Sequence, residues 1–267
     1  MKKHKGAIRP PAEFYDGLGD GYELMINWEA RLRRESPFFK KLFEERGVRS
    51  VLDVACGTGR HVVEFARWGL DASGCDISAE MIRLAKRNAA GAGVAADFFK
   101  AGLTDVDSAA RAARKFDAVV CLGNSLPHLL TQRELDKAMR SIRRALNPGG
   151  VFVSQVRNYA RIVRDNVRFM PPTSAKLDDG GECVFFRMLD IPAPGSPRHI
   201  DFHIVRMTKE SGKWNHSVQT TRLRPMTKVH IDASLTRAGF KHIRHYSDYS
   251  FLRFGINKTM DLITVAR

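Results

Sequence analysis

The sequence predicts an α/β protein: a doubly wound, mostly parallel seven-stranded sheet with an N-terminal helical cover and a small antiparallel β insertion. Three observations carry this. Short β-rich runs alternate with amphipathic helical stretches between Ser50 and Val156. A glycine turn, Gly57-Thr58-Gly59, directly follows the first of those runs. After Arg157 the pattern changes to strands joined by turns rich in Pro and Gly. A chain of 267 residues, 43% of them hydrophobic, can bury one large core of this kind with an appendage.

After a tail punctuated by Pro10-Pro11, residues 14–46 read as helical, with a break where Ser36-Pro37 supplies an N-cap and a first-turn proline. These helices precede the first strand and are placed to cover a site. Residues 50–55 form the first strand, and 59–68 a helix with Val62, Val63, Phe65 and Ala66 as its apolar surface. A second strand over 70–75 leads into a helix from Ser78 in which Met81, Ile82, Ala85 and Ala89 recur at helical spacing. Strands follow over 94–99 and 116–122. Leu135, Ala138, Met139, Ile142 and Leu146 mark one face of a helix that ends at Asn147-Pro148-Gly149-Gly150, and 151–156 is the fifth strand. Strands over 183–191, 199–207 and 214–223 make up the insertion. A helix over 229–238, a turn at Gly239 and terminal strands near 242–249 and 258–266 complete the main sheet. The expected division is 1–46 for the tail and covering helices, 47–158 with 226–267 for the nucleoside-binding core, and 159–225 for the insertion, a substrate lid.

No run of about 18 apolar residues occurs, and Met1-Lys2-Lys3-His4-Lys5-Gly6 has no apolar stretch behind its charges, so neither a membrane span nor a secretory signal is indicated. A cytoplasmic protein is expected. Cys56, Cys75, Cys121 and Cys183 lack CxxC spacing and read as buried thiols, not as disulfides or zinc ligands. The formal charge of +15 would suit a nucleic acid or an anionic substrate. Its distribution favours a solvated surface instead, because the basic residues fall mainly on polar helix faces: Arg31, Arg33 and Arg34; Arg83, Lys86 and Arg87; Arg111 and Arg114; Arg140, Arg143 and Arg144.

The chemistry begins at the glycine turn, which lets the backbone approach a ligand with no side chain in the way. The same glycines could serve a dinucleotide, whose fingerprint is GxGxxG with an acidic residue about 20 positions on. Here Val62 stands where the third glycine would be, so a pyrophosphate fits less well than a cofactor without one. Asp76, at the end of the second strand, can accept both ribose hydroxyls, although a strand-end aspartate is also a common loop cap. The histidines show no HxH or HExxH spacing, and no metal is expected.

Val51-Leu52-Asp53-Val54-Ala55-Cys56-Gly57-Thr58-Gly59, then Gly74-Cys75-Asp76-Ile77-Ser78, then Asn147-Pro148-Gly149-Gly150 resemble the class I S-adenosylmethionine-dependent methyltransferases, Rossmann-like enzymes, over nearly the whole chain. The resemblance implies S-adenosylmethionine as cofactor and S-adenosylhomocysteine as product. It implies that Asp53, Gly57 and Gly59 border the methionine part and that Asp76 holds the ribose. Ala55, Ile77, Met81, Leu103 and Leu122 are expected beside the cofactor, and Arg31 on its carboxylate. Tyr15, Tyr22 and Trp28 would cover the same pocket, or serve as core aromatics. Phe116-Asp117-Ala118-Val119-Val120-Cys121-Leu122-Gly123-Asn124-Ser125-Leu126-Pro127-His128-Leu129 and Arg157-Asn158-Tyr159 resemble the glycine and sarcosine N-methyltransferase group. That implies an acceptor site at Gly123, Asn124, His128, Arg157 and Tyr22, with Arg157 on a carboxylate, Asn124 orienting an amine and His128 accepting a hydrogen bond or relaying the proton. Guanidinium meets carboxylate through a two-bond fork. Each residue also has an ordinary structural reading: Asn124 as a loop cap, His128 as an interior histidine, Arg157 in a salt bridge.

Two departures bear on specificity. Many class I enzymes carry Asp after the third strand for the adenine amino group; here Gly102 stands there, leaving adenine to backbone groups and Leu103. Where the glycine enzymes place tyrosines in the insertion, this chain has Phe185 or Phe186 and Phe202, which puts glycine itself in doubt, although core packing explains such phenylalanines equally well. The expected reaction is methyl transfer to the nitrogen of a small amino acid or related carboxylate-bearing amine, with the acceptor a small molecule. The rivals are methylation of an RNA or other nucleic-acid base and methylation of a small-molecule oxygen. Against the first, Asn124-Ser125-Leu126-Pro127 lacks the Pro-Pro-aromatic stack on which a flipped base lies. A protein that binds the cofactor without turnover is a third possibility.

Overall fold

The computed structural model describes residues 7–109, 114–177, 180–193, 199–210 and 212–267; residues 1–6 of the expected tail and Arg111 lie outside them. The described residues start with a two-residue strand, β1 (Ile8–Arg9), and three helices, α1 (Pro11–Asp16), α2 (Gly21–Met25) and α3 (Trp28–Arg46). Alternation follows: β2 (Ser50–Val54), α4 (Arg60–Arg67), β3 (Asp71–Asp76), α5 (Ala79–Gly91), β4 (Asp97–Lys100), α6 (Val106–Ala109), β5 (Phe116–Cys121), a 3-10 turn (Leu126–His128), α7 (Gln132–Ala145) and β6 (Leu146–Arg157). Next come α8 (Tyr159–Arg164) and the antiparallel strands β7 (Thr173–Lys176), β8 (Glu182–Asp190), β9 (Ile200–Glu210) and β10 (Lys213–Leu223). The chain returns through α9 (Lys228–Arg237) to β11 (Ile243–Tyr246) and β12 (Asp261–Ala266).

The seven-stranded sheet has the order β11-β12-β6-β5-β2-β3-β4, parallel except where β12 pairs with β6 and with β11. The two-residue strand period explains its layering. Val51, Ala118, Val120, Val151 and Val153 face one apolar cluster, while Leu52, Val54, Val119, Cys121 and Phe152 face the other. Helices α3, α4 and α5 cover the first face, and α7 and α9 the second. All four cysteines are buried and unpaired. The second sheet has the order β1-β10-β9-β8-β7, antiparallel except that β1 runs parallel to β10. The tail therefore supplies an edge strand to the insertion's sheet, which two residues of sequence do not announce.

Three local expectations need correction. Ser36-Pro37 does not start a helix: α3 runs through it, and Asn27 is the true N-cap, accepting from Ala30 N at 3.0 Å. Pro37 cannot donate to the carbonyl of Arg33, yet Phe38, Phe39, Leu42 and Phe43 are all buried, and that packing outweighs one lost bond. Asn147-Pro148-Gly149-Gly150 lies within β6, where it loops out between the pairs Phe116–Leu146 and Ala118–Val151. The third strand begins at Asp97, three residues later than the apolar run suggested, after the turn at Gly93. Among the described residues, no helix is long and apolar enough to cross a membrane.

Candidate active site

Strand order reverses between β2 and β5, and the crevice over their carboxyl ends is where a doubly wound sheet places ligands. Two cavities of about 290 and 200 Å³ open there. They share Tyr15, Tyr22, Arg31, Gly123 and His128, so the covering helices and the turn after β5 meet where the two spaces join.

The larger cavity is walled by the turn after β2. Asp53, Ala55 and Gly57 line it, with Ala55 and Gly57 at φ 61° and 54°. From β3 come Asp76 and Ile77, from the loop after β4 come Gly102 and Leu103, and Leu122 closes the floor. Asp76 accepts from Gly57 N and Ser78 N, each at 2.9 Å, which ties the glycine turn to the end of β3. Burial pushes its pKa up while these backbone donors pull it down. Asp53 is 2% exposed, its Oδ1 has no partner, and burial raises its pKa strongly. Trp28 Nε1 is likewise buried without a partner. Gly59 and Met81, expected at this cavity, do not line it. Gly59, at φ 73°, packs where a Cβ would stand 2.8 Å from both Ala85 Cβ and Phe98 Cε1, so its lack of a side chain serves helix packing. Met81 is fully buried in the first turn of α5, behind its N-cap Ser78.

Arg31 sits at the junction, its guanidinium 5.0 Å from the Trp28 ring centre and its Nε 3.0 Å from Glu35 Oε1. Glu35 Oε2 is 2.8 Å from His61 Nε2. Burial would raise the pKa of Glu35, but the His61 hydrogen bond and the Arg31 charge outweigh it and hold it at about 2. Burial lowers the pKa of His61, so a neutral ring donates to an ionised carboxylate. This buried triad fixes Arg31 from behind and leaves its remaining N–H groups to the cavities.

The smaller cavity lies between the turn after β5, the end of β6 and the antiparallel sheet. Gly123, at φ 73°, donates its N–H to Gln155 Oε1 at 3.0 Å. Gln155 Nε2 and Arg157 Nη1 both reach Asp261 Oδ1, at 2.9 and 3.0 Å. Arg157 thus lines the cavity already oriented by a carboxylate. The side chain of Asn124 is held at both ends: Oδ1 accepts from Arg157 N and Nδ2 donates to Tyr159 Oη, both at 2.9 Å. Asn124 lines the smaller cavity, and these two bonds lock the turn that carries it to β6. His128 Nε2 lies 3.0 Å from Tyr15 Oη, its Nδ1 is buried without a partner, and burial lowers its pKa to about 4. Tyr22 faces both cavities, and burial raises its pKa to about 12. Of the insertion phenylalanines, Phe202 lines the cavity, Phe185 is in the core and Phe186 is 37% exposed.

Several site residues carried no local signal in the sequence. Glu35 and His61 meet across 26 residues, and Gln155 and Asp261 across 106. Arg187, which also lines the smaller cavity, did carry one. In β8 the residues Cys183, Phe185, Arg187 and Leu189 share one face by strand alternation, and an arginine breaks that apolar run.

A family model described as a methyltransferase domain matches residues 51–150. A glycine/sarcosine N-methyltransferase of Parasynechococcus marenigrum is 28% identical over 237 residues, 89% of this chain and 79% of that protein. The dTDP-3-amino-3,4,6-trideoxy-alpha-D-glucopyranose N,N-dimethyltransferase of Streptomyces venezuelae is 30% identical over 171 residues, 59% of this chain and 68% of that protein. Among solved structures, an S-adenosylmethionine-dependent methyltransferase from Clostridium acetobutylicum superposes with a TM-score of 0.74 at 16% identity, covering 96% of this chain and 97% of that one. With a doubly wound sheet, a glycine turn tied to Asp76 and a two-chambered crevice, the chain belongs to the S-adenosylmethionine-dependent methyltransferases.

Proposed function

We propose that the enzyme methylates the amine nitrogen of a small carboxylate-bearing acceptor, with the cofactor in the larger cavity and the acceptor in the smaller. The residues of the larger cavity fit the cofactor. Asp76, its carboxylate fixed by two backbone donors, has lone pairs left for ribose hydroxyls. The orphaned Asp53 Oδ1 beside Arg31 matches an ammonium next to a carboxylate, the two charges of an amino-acid tail. Apolar Ile77, Leu103 and Leu122 suit a planar base. When bound, S-adenosylmethionine would supply an electrophilic methyl open to in-line attack by an acceptor lone pair, with the thioether as leaving group keeping the carbon–sulfur electron pair.

The protein's part is to present that lone pair. Arg157, braced by Asp261, holds the acceptor carboxylate, and the locked Gly123-Asn124 turn shapes the wall beside it. His128, kept neutral by burial, stands with Tyr15 at the junction to accept a hydrogen bond from the amine. The observation that carries this reading is the pairing of an oriented arginine with a neutral Tyr15–His128 pair in one chamber, next to the cofactor chamber. The relatives support an amine acceptor: one is named for glycine and sarcosine, the other for an amino sugar. Arg157→Ala is expected to abolish methylation of a carboxylate-bearing amine, with cofactor affinity by calorimetry within about twofold. Full activity in the variant would exclude the carboxylate clamp.

A further inference from the structure

Resting on that reading, we propose that Arg187 is a specificity-determining residue: with Arg157 it brackets the acceptor carboxylate and selects an α-amino acid with an apolar side chain over glycine. Arg187 lies on the inward face of β8, opposite Ile204 of β9 and between buried Phe185 and Leu189. One apolar cluster contains Phe185 and Ile204, and the next contains Leu189 and Leu223. A guanidinium on such a face loses hydration and is tolerated where an anion or strong acceptors replace it. The protein replaces little of it. Arg187 Nη2 donates to the carbonyl of Pro171 at 3.2 Å, its Nε is buried without a partner, and no carboxylate pairs with it among the described residues. Burial and the neighbouring Arg157 charge both disfavour its charged form. Arg157 is neutralised by Asp261, so on the insertion's side of the chamber the charge of Arg187 stays uncompensated, the complement of one carboxylate; Arg31 and Arg34, across the chamber, share Glu35.

The chamber is larger than glycine needs, and one side of it is apolar. Its volume is about 200 Å³, where a cavity of ~150 Å³ is enough for benzene. Met170, Phe202, Ile204 and Leu223 line it on the insertion's side, next to Arg187. An acceptor anchored by its carboxylate at the two arginines, with its amine toward Tyr15 and His128, would lay its side chain on these residues.

The test compares leucine, glycine, sarcosine and 3-methylbutylamine, which is leucine without its carboxylate, as labelled-methyl acceptors for the wild type and for Arg187→Met. The expected result is kcat/KM for leucine more than about tenfold above both glycine and 3-methylbutylamine, the scale of one charge-assisted hydrogen-bond pair. In Arg187→Met the preference for leucine over 3-methylbutylamine should collapse through KM, while cofactor affinity stays the same. A variant that merely loosened the sheet would weaken both acceptors alike. Calorimetric titration of leucine and 3-methylbutylamine into the wild type with S-adenosylhomocysteine reads the same discrimination without the variant. Glycine or sarcosine methylated in preference to leucine, or an unchanged preference in Arg187→Met, overturns this inference and leaves the proposed function standing. No methylation of any carboxylate-bearing amine overturns the proposed function as well.

Discussion

At the scale of single residues, the site concentrates groups that the fold would otherwise avoid. Ala55 and Asn124 are non-glycine residues at φ 61° and 68°, and each lies on a turn that walls a cavity. Asp53 Oδ1, Trp28 Nε1 and His128 Nδ1 are buried without partners. The His128 ring has a measurable consequence. Its pKa falls from 6.5 to about 4 on folding, so between those values the unfolded chain binds a proton that the folded one does not. Stability is therefore complete above pH 6.5 and declines as the pH drops toward 4, by at most about 3 kcal/mol because the ring is only partly covered. Urea denaturation across this range should show a shallower pH dependence in His128→Asn than in the wild type. Equal slopes would mean that His128 is not the group responsible.

At the scale of elements, the strands and helices of the core were readable because their apolar periods are regular, and the misreadings came where one signal competed with packing. Ser36-Pro37 is a sound helix start in isolation, but four buried residues between Phe38 and Phe43 hold α3 continuous through it. Pro37 is exposed, so Pro37→Ala restores a backbone donor without disturbing the core. The variant should be more stable by about 1 kcal/mol, read from the denaturation midpoint, with unchanged activity. A loss of stability would show that the helix depends on the proline. The cofactor turn was legible because Gly57 and Asp76 stand at fixed distances from strand ends. Gly59 and Met81 were assigned with them by resemblance, yet packing against Ala85 and Phe98, and burial behind Ser78, take them into the core. The smaller cavity was half legible. Arg157 and His128 lie in short motifs, whereas Tyr15 comes from 113 residues before His128, and Arg187 showed itself only as a break in strand alternation.

At the scale of the whole molecule, the net charge of +15 is spread over a surface on which many arginines sit beside carboxylates. Arg33 pairs with Glu29, Arg83 with Glu80, Arg87 with Asp20, Arg144 with Asp107, and Arg114 with Asp71 and Asp97. Arg31, which helical spacing placed on a polar face, is turned into the crevice. The antiparallel sheet supplies one wall of the smaller cavity and, through β1, is tied back to the covering helices. A labelled-methyl transfer screen over glycine, sarcosine, dimethylglycine, larger amino acids, amines without a carboxylate, carboxylic acids and RNA tests the central claim most directly. The label should appear on the nitrogen of an acceptor that carries a carboxylate and be lost when the carboxylate is removed. Label in RNA, or on an oxygen, with none in the amines would contradict the account.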